Sequence, residues 1–324
     1  MSIIKIKVLV VSMLIIFFIQ SFLSLNSKSA TFDEVQYFGI GKYIMLTQKW
    51  DIMGAILHPP LSYYLNSIPL LFVEEDKAIW SYEEKERNLD FLGAVDYYRG
   101  QNLLSMAENK NDRLLILSRL TVTILSLVLG YYVFLFAGTL FGEMSGVVAL
   151  GLYTFCPNML AFSGICVPDM PLTVFCFIFS YYYWLSLKYR STKNTLLAGV
   201  FLGLSLLTKF TAIAILPISG IATLIYSYKY KEKRVVSWCW VALIGILILF
   251  IGYGFNITPY IQGNEYRASQ LELGQSSFLA GNYSNKGWWY YYIIAFLLKT
   301  PSPDLDPASS CNFAHNKKIS RKDV

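Results

Sequence analysis

Apolar runs long enough to cross a bilayer, separated by short polar or basic loops, dominate the chain. They cover residues 8–25, 114–141, 146–163, 170–187 and 235–255, with Pro157 expected to kink the third. Residues 195–228 form a further run, too long for one helix of about 20 residues. Both of its ends are basic, so it is expected to pass twice and turn at its one internal charge, Lys209. Lys5 and Lys7 precede the first run, which reads as an uncleaved anchor because several spans follow it. Basic loops at 188–193 and 229–234 belong on the inner side by the same charge rule, and residues 28–113 and 256–286 on the outer side. The first outer stretch contains amphipathic pieces at 35–46 and 61–72, too short to span and expected to lie on the interface, and a polar section at 74–87. A further interfacial or membrane helix is expected over 288–298. The pattern predicts an all-α protein, a polytopic transmembrane helix bundle of about seven spans with interfacial helices in the first outer loop, and shows no internal repeat.

Composition agrees. Of the chain, 55% is hydrophobic and 15% charged, with mean hydropathy +0.45; soluble domains are about 45–50% apolar and about 25% charged. The net charge of +6 lies largely in the short inner loops, so it calls for no nucleic-acid partner. Cys156, Cys166, Cys176, Cys239 and Cys311 form no CxxC pair, and His58 and His315 are too few for a His-rich metal site. There is no glycine-rich phosphate loop and no spaced acid pair of the kind that holds a metal for a nucleotide sugar. After Pro301 the chain turns polar, and Pro303 and Pro307 oppose a helix. A membrane domain over 1–301 and a disordered tail over 302–324 are therefore expected.

The predicted topology gathers an unusual set of charges at one face. Asp33 and Glu34 follow the first span, His58 precedes Pro59-Pro60, Arg119 opens the second span, Asp169 sits in the next outer turn and Lys209 in the one after. Ionisable groups at such positions are expensive and are usually paired or functional. Each also has a simpler reading when taken alone. Asp33-Glu34 suits a helix N-terminus, Arg119 suits snorkelling, and Asp169 before Met170-Pro171 suits an N-cap. His58-Pro59-Pro60 suits a rigid turn, while Lys209 is balanced between snorkelling and function. Chance capping does not account for the shared face.

These segments resemble the polyprenyl-phosphate-sugar glycosyltransferases of the GT-C superfamily, above all the protein O-mannosyltransferase group and the lipid A aminoarabinose transferases. The matching pieces run in family order. They are Thr31-Phe32-Asp33-Glu34 with Tyr37, His58-Pro59-Pro60-Leu61 with Tyr63-Tyr64, Leu117-Ser118-Arg119-Leu120, and Phe155-Cys156-Pro157 leading through Ala161-Phe162-Ser163 to Pro168-Asp169. Gly199–Leu204 then leads to Leu207-Thr208-Lys209-Phe210, and Gly287–Tyr291 to Lys299-Thr300-Pro301. The resemblance covers roughly residues 6–301. It departs in two places. The aminoarabinose enzymes have Lys where this chain has His58, and the family continues with further apolar helices where this chain has its polar tail. The second departure makes a truncated or frameshifted member the expectation.

The resemblance implies a membrane glycosyltransferase that moves a sugar from a polyprenyl-phosphate-linked donor to a lipid, protein or glycan acceptor on the outer face of a bacterial plasma membrane. Asp33 matches the family's base, and inversion at the anomeric carbon follows from a single base. Arg119 and Lys209 would face the leaving phosphate. Glu34, His58 and Asp169 would bind or orient substrate. No cofactor is certain, and a divalent metal is compatible with the reading. The competing expectations are a non-catalytic remnant of such an enzyme, or a transporter or lipid-handling protein. Transporters favour internal repeats and sites at the midplane.

Overall fold

The structure is a computed structural model in which residues 3–25, 27–47, 57–72, 94–105, 113–274 and 276–299 are described. Helices α1 (Ile3–Leu25), α2 (Phe32–Thr47) and α3 (Leu61–Ser67) come first, α3 continuing into a 3₁₀ turn, Ile68–Phe72. Next are α4 (Ala94–Ser105), α5 (Arg113–Phe141), α6 (Glu143–Thr154), α7 (Pro157–Phe162), α8 (Asp169–Tyr189) and α9 (Thr192–Leu206). A 3₁₀ turn, Phe210–Ala214, leads into α10 (Ile215–Tyr230). The chain continues through α11 (Val235–Gly252), α12 (Thr258–Leu273), a small antiparallel hairpin of β1 (Ser277–Leu279) and β2 (Asn282–Ser284), and α13 (Tyr291–Lys299).

Five helical stretches are long and apolar enough to cross a membrane: Ile4–Leu25, Arg113–Phe141, Asp169–Tyr189, Phe210–Tyr230 and Val235–Gly252. Asp169–Tyr189 is half buried, and the other four expose most of their length. Val235–Gly252 has a mean hydropathy of 2.5, yet only 17% of it is buried inside the protein. Only lipid accommodates such a surface, and the chain is an integral membrane protein built as an all-α bundle.

The other two expected passes are shorter. The third run breaks, because α6 ends at Thr154 and Pro157 opens α7. Proline is favoured in the first turn of a helix, where its missing N–H has no partner to lose, so Pro157 starts a helix instead of kinking one. Helix α9 has 15 residues, about 22 Å at 1.5 Å per residue, before the chain leaves the helix toward Lys209.

Close backbone approach sets the position of α9 against α11. A Cβ added at Gly199 would lie 2.6 Å from Ile244 Cβ, and one at Gly203 would lie 2.8 Å from Gly245 O and closer still to Ile248. Small residues at such crossings let membrane helices pack backbone to backbone. The end of α9 then seats α3. Leu61 N donates to Leu207 O at 2.9 Å, and Ser62 Oγ donates to Thr208 O at 3.4 Å. On the other side, Phe17, Val122, Leu129, Leu150 and Val174 form the core shared by α1, α5, α6 and α8.

The stretch expected to lie on the outer side, residues 28–113, differs from expectation. Helix α2 is not a one-sided surface helix: Glu34, Val35, Tyr37, Phe38, Ile40 and Ile44 are all buried, against α3 and α4. Residues 256–286 were expected as a loop and instead carry α12 and the hairpin. Asn256 Oδ1 accepts from Thr258 N at 3.2 Å, and Pro259 occupies the first turn, which together start α12 without any apolar periodicity. The polar section at 74–87, the domain boundary at 301 and the tail at 302–324 lie outside the described residues.

Overpacking a tight helix crossing costs about 1–3 kcal/mol. Gly203→Val is therefore expected to lower the unfolding temperature in detergent. Gly138→Ala serves as the control, since its added Cβ would meet nothing nearer than Glu143 Cα at 3.9 Å. It is expected to leave stability unchanged or raised by about 0.5–1 kcal/mol. Equal behaviour of the two variants would contradict the packing described.

Candidate functional site

Two ion pairs organise the end of the bundle where α2, α3, α8 and α9 meet, and they differ in kind. The first is buried. Arg119 and Glu34 are 1% and 0% exposed. Arg119 Nε donates to Glu34 Oε1 and Nη2 to Oε2, both at 2.8 Å. The remaining donors reach Leu25 O at 3.0 Å, Lys28 O at 2.7 Å and Ser29 O at 2.8 Å. All five N–H groups of the guanidinium are thereby used, and none is left for phosphate. Glu34 is equally filled, accepting also from Thr31 N and Cys166 N, each at 2.9 Å. Thr31 Oγ1 accepts from Glu34 N at 3.4 Å, completing a reciprocal capping box at the start of α2.

The second pair is open. Lys209 Nζ lies 2.9 Å from Asp169 Oδ1, with side chains 25% and 49% exposed. Asp169 begins α8 but makes no cap; Pro168 holds the cap position without a side-chain hydrogen bond. The carboxylate faces Lys209 instead.

Around this pair sits an aromatic and cationic cluster. The Tyr37 ring lies 4.8 Å from that of Tyr63 and 5.8 Å from that of His58. Burial raises the Tyr37 hydroxyl well above the usual tyrosine pKa, and the charges of Asp33, Asp169 and Arg267 are near enough to act on it too. Arg267, on α12, donates to Leu57 O at 3.0 and 3.2 Å and reaches His58 Nε2 at 3.1 Å. Burial, then the positive charges of Arg267 and Lys209, hold the His58 imidazole down to about 3, so it is neutral at physiological pH. A guanidinium only donates, so Nε2 accepts and the ring proton belongs on Nδ1. Nδ1 is buried and has no partner among the described residues.

Of the residues expected from sequence, His58 lies beside Tyr37, Asp33 and Asp169 are near enough for their charges to act on it, and Lys209 is paired with Asp169, while Glu34 and Arg119 are locked to each other. Asp33 is exposed in the first turn of α2 and takes no part in the capping box. Sequence reasoning gave Tyr37 and Tyr63 no role and missed Arg267. Among the described residues, no three His, Cys, Asp or Glu come together to hold a metal ion.

Residues 113–253 match the family model described as dolichyl-phosphate-mannose-protein mannosyltransferase, somewhat less than half of the chain. That match supports a membrane glycosyltransferase of the GT-C type. The matched stretch runs from the start of α5 to just beyond α11. It contains Arg119, Asp169 and Lys209, whereas Asp33, His58 and Arg267 lie outside it. No curated protein and no solved structure matches the chain.

The buried pair sets a pH dependence. Burial alone would raise Glu34, but the hydrogen bonds from Arg119, Thr31 and Cys166 outweigh it and hold the carboxyl below its usual 4.5. The stability this confers is fully present above pH 4.5 and is lost as pH falls through the lower folded value. Detergent-solubilised protein should lose thermal stability on acidification in that range. Glu34→Gln leaves Arg119 buried without a counter-charge, which costs about 3–5 kcal/mol. The variant should start from a lower melting temperature and lack this acid-dependent loss. An unchanged melting temperature at pH 7 would show that the pair is dispensable.

Proposed function

We propose that the chain transfers a sugar from a polyprenyl-phosphate donor to a hydroxyl or amine acceptor, with inversion, at the membrane face bearing Asp33, His58, Asp169 and Lys209. The observation that carries this is the proximity of Tyr37 to Asp33, which pairs with no cation among the described residues, to the loosely held Lys209–Asp169 pair, and to an imidazole N–H with no partner among those residues. The family match to residues 113–253 supplies the reaction class.

The acceptor oxygen or nitrogen attacks the anomeric carbon and forms the new glycosidic bond. The bond from that carbon to the phosphate oxygen breaks, and its electron pair leaves with the polyprenyl phosphate. Asp33 takes the acceptor proton. Lys209 meets the charge gained by the phosphate. An exposed pair such as Lys209–Asp169 is worth only about 0–1 kcal/mol, so exchanging the carboxylate for a phosphate is cheap. The His58 Nδ1–H supplies a neutral donor beside it, held in that tautomer by Arg267. Asp169, released from Lys209, is placed to accept from sugar hydroxyls. Glu34 and Arg119 fix the start of α2 and so aim Asp33.

Asp33→Asn tests the base. The amide keeps the shape and takes nothing from the capping box, which uses Thr31 and Glu34. Transfer from a synthetic polyprenyl-phosphate sugar in proteoliposomes is expected to fall about 10²–10⁴-fold, with the melting temperature unchanged. Lys209→Met is expected to raise KM for the donor as well as lowering kcat. Wild-type turnover in Asp33→Asn would remove Asp33 from the mechanism.

The orientation is proposed on the same footing, from the basic loops at 188–193 and 229–234. A single cysteine introduced at Asn282 should be labelled from outside intact cells, and one at Lys231 should not. Labelling at position 231 would invert the assignment.

A further inference from the structure

The end of the bundle remote from Asp33 carries a cleft of about 530 Å³ between the starts of α9 and α11. Helix α8 runs 21 residues from Asp169 to Tyr189, about 31 Å, so Arg190 lies a membrane's thickness from the Lys209–Asp169 pair. Arg190, Lys233 and Arg234 line the mouth of the cleft. One carboxylate answers these three cations: Glu232 lies 2.6 Å from Arg234 Nη2 and 3.6 Å from Arg190. The Arg234 side chain is only 3% exposed, and its Nε is buried with no hydrogen-bond partner among the described residues. An unfilled guanidinium N–H in a buried position calls for an acceptor. Hydroxyls of Thr192 and Ser237 lie in the same wall.

The cleft is polar at one end only. Val236, Trp240 and Ile244 line it at four-residue spacing along α11, and so lead from the basic mouth toward the middle of the bundle, about 12 Å over eight residues. Val236 and Trp240 are 67% and 56% exposed, and Leu196 on α9, 51% exposed, completes the apolar side. A free inorganic anion would use the mouth and leave this runway empty. A phosphate carried on acyl chains fits both parts.

We propose that this cleft binds an anionic glycerophospholipid, its phosphate at Arg190, Lys233 and Arg234 and an acyl chain along Trp240 and Ile244. Basic pockets between membrane helices bind acidic headgroups in this way. The site is independent of the transfer reaction, and lipid binding can be measured without any sugar substrate.

Trp240 reports occupancy directly. The full chain, and its Trp240→Phe variant, would be reconstituted in phosphatidylcholine vesicles. Brominated phosphatidylglycerol or brominated phosphatidylcholine is then added at rising mole fraction, and the quenching difference between the two proteins isolates Trp240. Half-maximal quenching is expected at a lower mole fraction of the brominated phosphatidylglycerol. Lys233→Gln and Arg190→Gln replace exposed side chains, and each should weaken that preference about five-fold. Equal quenching by the two lipids, or a preference that survives both substitutions, would overturn the proposal. So would relief of quenching by millimolar inorganic phosphate, which would mark a free-anion site. Stronger displacement by a polyprenyl phosphate than by phosphatidylglycerol would assign the cleft to the donor lipid instead and would equally overturn it.

Discussion

A carboxylate and a guanidinium withdrawn from water inside a membrane protein are tolerable only if every lone pair and N–H is met. Glu34 and Arg119 satisfy that condition with bonds that reach five separate stretches: the end of α1 at Leu25, the linker at Lys28 and Ser29, the first turn of α2, the body of α5, and Cys166 ahead of α8. Well-packed apolar side chains of equal volume would hold these segments about as firmly. They would not fix the angle at which α2 leaves the linker. That angle decides where Asp33 and Tyr37 point, one residue before and three after Glu34, and the rest of the site is assembled around them.

The two ion pairs have nearly the same closest distance, 2.8 and 2.9 Å, and opposite consequences. Burial makes the difference. Breaking Glu34–Arg119 strands a charge where water cannot reach it, at about 3–5 kcal/mol. Separating Lys209 from Asp169 returns two half-exposed groups to solvent at about 0–1 kcal/mol. A group that must change partners during a reaction belongs to a pair of the second sort. The family match spans one member of the first pair and both of the second, so sequence similarity alone does not separate scaffold from chemistry.

The apolar runs made the bundle readable from sequence, because lipid-facing helices need no partner-specific pattern. The charge rule placed Asp33, His58, Asp169 and Lys209 on one face; in the structure Lys209 pairs with Asp169, and the charges of Asp33 and Asp169 act on Tyr37 and that of Lys209 on His58. The pairing of Glu34 with Arg119 was not readable. It joins positions 85 residues apart, and Arg119 at a helix start looks the same whether it snorkels or is buried. Reading Asp33-Glu34 as a helix start identifies only the local half of Glu34's bonding, the exchange with Thr31. Arg267 escaped because the apolar residues of α12 form no single face and the helix is announced only by Asn256 and Pro259. The break at Pro157 escaped because an apolar run does not reveal whether a proline kinks one helix or opens another.

His58 shows how a distant helix sets the chemistry of this face. Burial first, and then the charges of Arg267 and Lys209, keep the imidazole from protonating and adding a third cation to that pair. Held neutral, it leaves the cluster with two carboxylates, Asp33 and Asp169, against two cations, Lys209 and Arg267. In the proposed reaction a sugar phosphodiester then arrives at a balanced site, and Lys209 turns from Asp169 to the phosphate as its charge grows. Asp169 is freed at the same moment and gains the sugar hydroxyls as donors. Donor binding thereby replaces the Lys209–Asp169 bond with bonds to phosphate and sugar and strands no charge, and it offers an acceptor to the His58 Nδ1–H, which has no partner among the described residues.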